Sequence, residues 1–182
     1  MKNYPYCSKT IGIWGLDDNN VFTAIKLYSS SNLNCPSAIT YWDGNEYTVL
    51  HLSTTSEESY SSVWGDDEIV YFGTQSGLLV RTISTGDEII LDEDDGFPVE
   101  LTSDKHFIAG NHSEDFLIMG NHGEYVYFDD NGFQIYYEIL NQYYDFNIYD
   151  IHFKDDLIVM VGKRINPSSG IHTDIVMYGY KR

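Results

Sequence analysis

Basic residues are scarce in this chain: ten Lys and Arg stand against 28 Asp and Glu, for a formal charge of -18. Phosphate would be repelled, which argues against nucleic acid and anionic membrane as partners. A basic protein partner, or solubility alone, is what such a charge serves. Cysteine is nearly missing, with only Cys7 and Cys35. A disulfide-stapled domain would carry more, so both are expected as free thiols in a reducing compartment. Long apolar runs are missing too, and none nears the ~18 residues of a membrane-spanning helix. Residues Met1–Lys9 lack the apolar stretch of a secretory signal, so the expected location is cytoplasmic.

The motifs of catalysis and metal binding are also missing. There is no Gly-x-Ser-x-Gly elbow, no phosphate-cradling glycine loop, no His-Glu-x-x-His and no Cys-x-x-Cys. Gly110-Asn111-His112, Gly120-Asn121-His122 and Asp150-Ile151-His152 contain fragments that metallophosphatase sites use, where hard metals need carboxylate and imidazole together. Their order is reversed, so His112 and His122 read as hydrogen-bonded turn residues. Asp92–Gly96 has the acidity of a calcium loop. With Gly96 in the sixth position, however, the first and twelfth ligands would fall on Leu91 and Thr102. A non-enzymatic protein with no cofactor and no metal is expected.

What is present is a repeat. At 182 residues, 42% hydrophobic and 15% aromatic, the chain suits one folded domain, residues 1–182. Val63–Gly73 reads as a short strand, an acidic turn and a second strand ending on glycine. The design recurs at Ile13–Phe22, Ile108–Gly120 and Ile151–Gly162. Trp14, Trp64, Ala109 and His152 then correspond, at a spacing of about 40–50 residues, which is the period of propeller blades. Approximate repeats run 8–56, 57–95, 96–142 and 143–182. Segments rich in Val, Ile, Tyr, Phe and Thr between Gly, Asp and Asn turns predict four strands per unit. Asp129-Asp130-Asn131-Gly132 is the strongest hairpin signal. The fold class predicted is all-β, a four-bladed β-propeller-like array of four-stranded antiparallel blades. The last unit ends after its third strand. Lys2–Cys7 could complete it and close a ring. Otherwise the chain is an open half-propeller that pairs with a second copy.

Ile13-Trp14-Gly15-x-Asp17-Asp18-x-x-Val21-Phe22 and Val63-Trp64-Gly65-Asp66-Asp67-x-Ile69-Val70-Tyr71-x-Gly73, with Tyr41-Trp42-Asp43-Gly44 downstream, resemble bacterial β-propeller repeats. The third and fourth copies depart from that pattern by losing the Trp. The resemblance implies a binding platform and carries over no catalytic residue.

Turns between strands one and two, and between three and four, emerge on the same side of a blade. The first set carries Asp17, Asp18, Asp66, Asp67, Glu68, Glu114, Asp115, Asp155 and Asp156. The second adds Asp43, Glu46, Asp87, Asp129 and Asp130. A carboxylate-lined side would attract a basic protein, although Asp also serves simply as a turn former. Long loops at Ile25–Ser37 and Lys163–Thr173 are expected on the opposite side. Trp14 and Trp64 read as blade packing, while Trp42, Tyr143 and Tyr144 are candidates for exposed aromatic contacts. The functional expectation is an acidic module that docks a basic protein, with toxin neutralisation of the immunity type as one such role. A carbohydrate-binding lectin-like propeller and an assembly component, dimerising through open blade edges, are the alternatives.

Overall fold

The computed structural model describes residues 7–28, 36–53, 59–74, 77–92, 94, 97, 107–120, 125–129, 131–136, 145–166 and 168–181. Among them there is no α-helix. Strands β1 (Cys7–Asp17), β2 (Asn20–Tyr28), β3 (Ser37–Trp42) and β4 (Tyr47–Leu52) form the first antiparallel sheet, in chain order. Strands β5 (Ser62–Gly65), β6 (Ile69–Gly73), β7 (Leu78–Thr82) and β8 (Glu88–Leu91) form the second. Strands β9 (Phe107–His112), β10 (Asp115–Met119), β11 (Tyr125–Asp129) and β12 (Gly132–Tyr136) form the third. Strands β13 (Asp145–Lys154), β14 (Leu157–Ile165) and β15 (His172–Tyr180) form the fourth, three strands wide among the described residues. These are the four blades of a β-propeller. Cys7 belongs to the first blade, where it pairs with Tyr28. The rest of the segment considered for closing the ring, Lys2–Tyr6, lies outside the described residues.

Each blade has two faces, because side chains alternate along a strand. On what we term the front lie the cross-strand rows Trp14–Phe22–Tyr41, Trp64–Tyr71–Val80, Ala109–Leu117–Tyr127 and His152–Val159–Tyr178. On the back lie Ile13–Thr23–Thr40, Val63–Phe72–Leu79, Ile108–Ile118–Val126 and Ile151–Met160–Met177. The residues aligned from the sequence therefore occupy one structural position in all four blades.

The core is built where a front meets the next back. Phe22, Ala24 and Ile39 pack against Val70, Phe72 and Leu79. Trp64, Tyr71 and Val80 pack against Ile108, Phe116 and Ile118. Ala109, Leu117 and Met119 pack against Ile148, Ile151 and Met160. Burial of these side chains is the main stabilising contribution, at about 1.5–3 kcal/mol for each large one. Among the described residues no hydrophobic cluster joins the fourth blade to the first. The innermost strands approach closely: a Cβ on Gly12 of β1 would lie 3.0 Å from the Val63 nitrogen of β5.

Several strands are longer than expected from the sequence. Lys9 and Lys26 pair with each other inside β1 and β2. The two ends of the expected loop Lys163–Thr173 are strand, because Lys163 pairs with Asp174 and Arg164 with Thr173. Between these strands the Asn166 N–H donates to the Ile171 carbonyl at 2.9 Å. Likewise Ile25–Tyr28 belongs to β2, and residues 29–35 of that loop lie outside the described residues.

Candidate functional site

In a four-strand meander the first and third turns sit at the same end of the sheet. Contacts between turns confirm that geometry here. Within the first blade, Trp42 Nε1 donates to the Asp18 carbonyl at 3.0 Å, and Asn19 crowds Gly44. In the second, the Ile83 N–H donates to the Glu68 carbonyl at 2.8 Å. Turns of successive blades are also joined. The Ser113 N–H donates to Asp66 Oδ2 at 2.5 Å, linking second and third blades. Asn111 links third and fourth, donating to the Asp155 carbonyl at 2.9 Å and accepting from the Asp155 N–H at 2.7 Å.

These contacts divide the nine turn carboxylates into two kinds. Asp17, Asp66 and Asp115 brace the turns, Asp17 from an exposed position and the other two from partly buried ones. Asp17 Oδ1 accepts the Asn19 N–H at 2.7 Å, and both its oxygens accept from Asn20 Nδ2. Asp66 Oδ1 accepts the Glu68 and Ile69 N–H groups, each at 2.9 Å, while Oδ2 faces Ser113. Asp115 accepts the Tyr127 hydroxyl at 2.6 Å, Asn111 Nδ2 at 2.9 Å and Lys181 Nζ at 3.0 Å. Asp18, Asp67, Glu68, Glu114 and Asp156 are exposed, and their carboxylates have no partner among the described residues. Asp155 is exposed as well and holds the turn through its backbone, at a φ of 54° that Asp tolerates. Of the second turn set, Asp43 Oδ1 accepts the Asn45 and Glu46 N–H groups, and Asp129 Oδ1 accepts the Asn131 N–H.

The braces have shifted titration. Burial works against the charged form of Asp66, yet the N–H donors of Glu68, Ile69 and Ser113 outweigh it and hold the carboxyl below its ordinary value. Asp115 is likewise depressed: burial opposes, and Tyr127, Asn111 and Lys181 prevail. Burial, aided by the charges of Asp66 and Glu114, pushes the Tyr71 hydroxyl up. A depressed carboxyl stabilises the fold above its ordinary pKa of 3.8 and loses that contribution as pH falls through the lower folded value. Asp66→Ala is therefore expected to cost about 1–2 kcal/mol at pH 7, because water replaces part of the lost bonding at this half-exposed site. Urea unfolding at pH 7 and pH 3 checks this. The gap between wild type and variant should narrow at pH 3, and a gap independent of pH would contradict the bracing role.

The aromatic candidates fare differently. Trp42 is half-buried, tied to Asp18 and packed on Tyr47 with ring centroids 4.7 Å apart. Tyr143 and Tyr144 lie outside the described residues. Asn111, noted in the sequence only as part of Gly110-Asn111-His112, organises the acidic end together with Tyr127 and Lys181, which did not stand out. Lys181 Nζ also lies 4.8 Å from the Tyr127 ring centre. His112 is not a turn residue but the exposed last residue of β9, paired with Asp115, and its Nδ1 accepts the Glu114 N–H at 3.3 Å.

No protein-family model matches the chain, and no curated protein matches it. Among solved structures it is similar to the computationally designed Ika4 protein, at 15% identity and a TM-score of 0.57, over 99% of this chain and 94% of that one. It is also similar to the computationally designed Ika8 protein, at 15% identity and a TM-score of 0.49, over 90% of this chain and 60% of that one. The N-terminal domain of Nup159 aligns at 8% identity and a TM-score of 0.45, over 93% of this chain and 48% of that one. At such identities the likeness to Ika4 speaks for the fold alone.

Proposed function

We propose that this propeller is a non-enzymatic binding scaffold whose acidic end docks a basic protein. The supporting observation is where the unspent charge lies. Asp18, Asp67, Glu68, Glu114 and Asp156 sit on the one–two turns, exposed and with no partner among the described residues. In the sequence, residues 57–142, which include three of these five, hold nineteen acidic side chains against two basic ones, Arg81 and Lys105. A field of one sign over a rigid surface speeds encounter with the opposite sign and selects against acidic competitors. Neutralising a basic toxin or nuclease in the cytoplasm is a role that this surface fits.

The test uses the exposed set and spares the braces. Wild type and the variant Asp67→Asn, Glu68→Gln, Glu114→Gln, Asp156→Asn are immobilised side by side and exposed to native lysate. Wild type should retain basic proteins that salt elutes, and the variant should lose at least about tenfold of that capture. Equal capture by both, or capture indifferent to salt, would reject the acidic surface.

A further inference from the structure

The interface repeated inside this chain is heterologous: the front of one blade meets the back of the next. Three such contacts are made, and one complementary half is left over at each end. At one end the back of the first blade is open, with Ile13 66% and Tyr47 66% exposed. The equivalents of Ile13 in later blades are Val63, Ile108 and Ile151, all packed in the core. At the other end the front of the fourth blade is open. Val176 is 70% exposed, Tyr178 74% and Tyr180 67%. Tyr178 occupies the position of Tyr41, Val80 and Tyr127, which pack against the following blade.

Charge follows the same division. Residues 57–142 carry nearly all of the net charge. Residues 143–182 hold five acidic and five basic side chains, and residues 1–56 hold four acidic and three basic. The two blades with open faces are thus the nearly neutral ones, where mutual repulsion between copies is weakest. The Thr23 and Thr40 hydroxyls on the open back already bond each other at 2.5 Å, so covering them breaks no bond between them.

We propose that a second copy of this chain covers these faces, the fourth-blade front of each copy seating on the first-blade back of the other, so that two copies close one ring. A head-to-tail contact must either close or propagate. The pairing uses the contact that the chain already makes three times.

Sedimentation equilibrium of the full chain from micromolar to several hundred micromolar tests it. The expected species has twice the 20.9 kDa chain mass, and its dissociation constant should fall as salt screens the repulsion between acidic copies. Ile13→Asp and Val176→Asp change exposed positions, so each should keep the far-ultraviolet spectrum and melting temperature of the monomer fold. Each should weaken the dimer at least about 100-fold, since an unpaired charge would be buried. Mixing the two variants should recover part of the association, because one unaltered front can still meet one unaltered back. A monomer at every concentration would overturn the proposal and leave these faces to another protein. A dimer broken by only one of the two substitutions, or by neither, would overturn it equally, because front-to-back pairing needs both faces.

Discussion

Phe116→Ala should lower the free energy of unfolding by about 3–5 kcal/mol, a large part of the total for a domain of this size. The ring is 1% exposed and is the hinge of the contact between second and third blades. Its centroid lies 4.7 Å from Tyr71 and 5.8 Å from Trp64, both of the second blade, and 4.8 Å from Phe128 of its own. Such tilted pairs add about 0.5–1.5 kcal/mol each beyond area burial. The cavity cannot collapse easily, because Tyr71 is anchored by its hydroxyl donating to the Ser113 carbonyl at 3.2 Å. Urea unfolding should show a lower midpoint with the slope unchanged. Ile89→Ala, at an exposed outer-strand position of the second blade, is the comparison and should stay within about 0.5 kcal/mol. A loss below about 1 kcal/mol for Phe116→Ala would mean that the blades are not joined through this ring.

The blade pattern was legible because it rests on local chemistry. An aliphatic residue, an aromatic or small one, a glycine and an acidic turn recur because each blade needs the same inner hairpin. Trp14, Trp64, Ala109 and His152 could be aligned without coordinates, although only two of them are Trp. Strand ends were harder to place. Polar residues such as Lys163, Arg164 and Thr173 read as loop, yet they pair at an exposed sheet end where polarity costs little. The split among the carboxylates was legible only in its local part, the turn-closing bonds of Asp17 and Asp66. Asp66 and Ser113 are 47 positions apart, Asn111 and Asp155 are 44 apart, and Asp115 and Lys181 are 66 apart. Asp66 braces its own turn locally, through the Glu68 and Ile69 N–H groups, but nothing local to Asp66-Asp67 announces the bond to Ser113 of the next blade. The crowding of charge onto the two middle blades was readable, but a net charge taken over the whole chain hides it.

The glycine that follows Trp14, Trp64 and Ala109 on the inner strands yields the second large effect. A Cβ added to Gly110 would lie 2.5 Å from Phe116 Cβ, 2.8 Å from the Asp115 carbonyl oxygen and 2.8 Å from Trp64 Cη2. None of these can give way cheaply. Asp115 is held by Tyr127, Asn111 and Lys181, Phe116 is locked among aromatic rings, and Trp64 arrives from the neighbouring blade. The register shift between Asp115 and Phe116 brings β10 against this glycine. Gly65 is confined in the same way, with the Ile69 carbonyl 2.5 Å from its would-be Cβ. In the fourth blade, the register from Ile151 to Lys154 runs without a shift, and Phe153 stands where the others have glycine. Gly110→Ala should therefore cost about 3 kcal/mol, the upper part of the range for overpacking. Gly179→Ala, in a strand with nothing near the added methyl, should be neutral or stabilise by about 0.4–1 kcal/mol through the unfolded chain. Thermal and urea unfolding of the two variants side by side distinguish a packing requirement from a mere preference of strands against glycine. Equal effects would show that Trp64 and Phe116 do not close on Gly110.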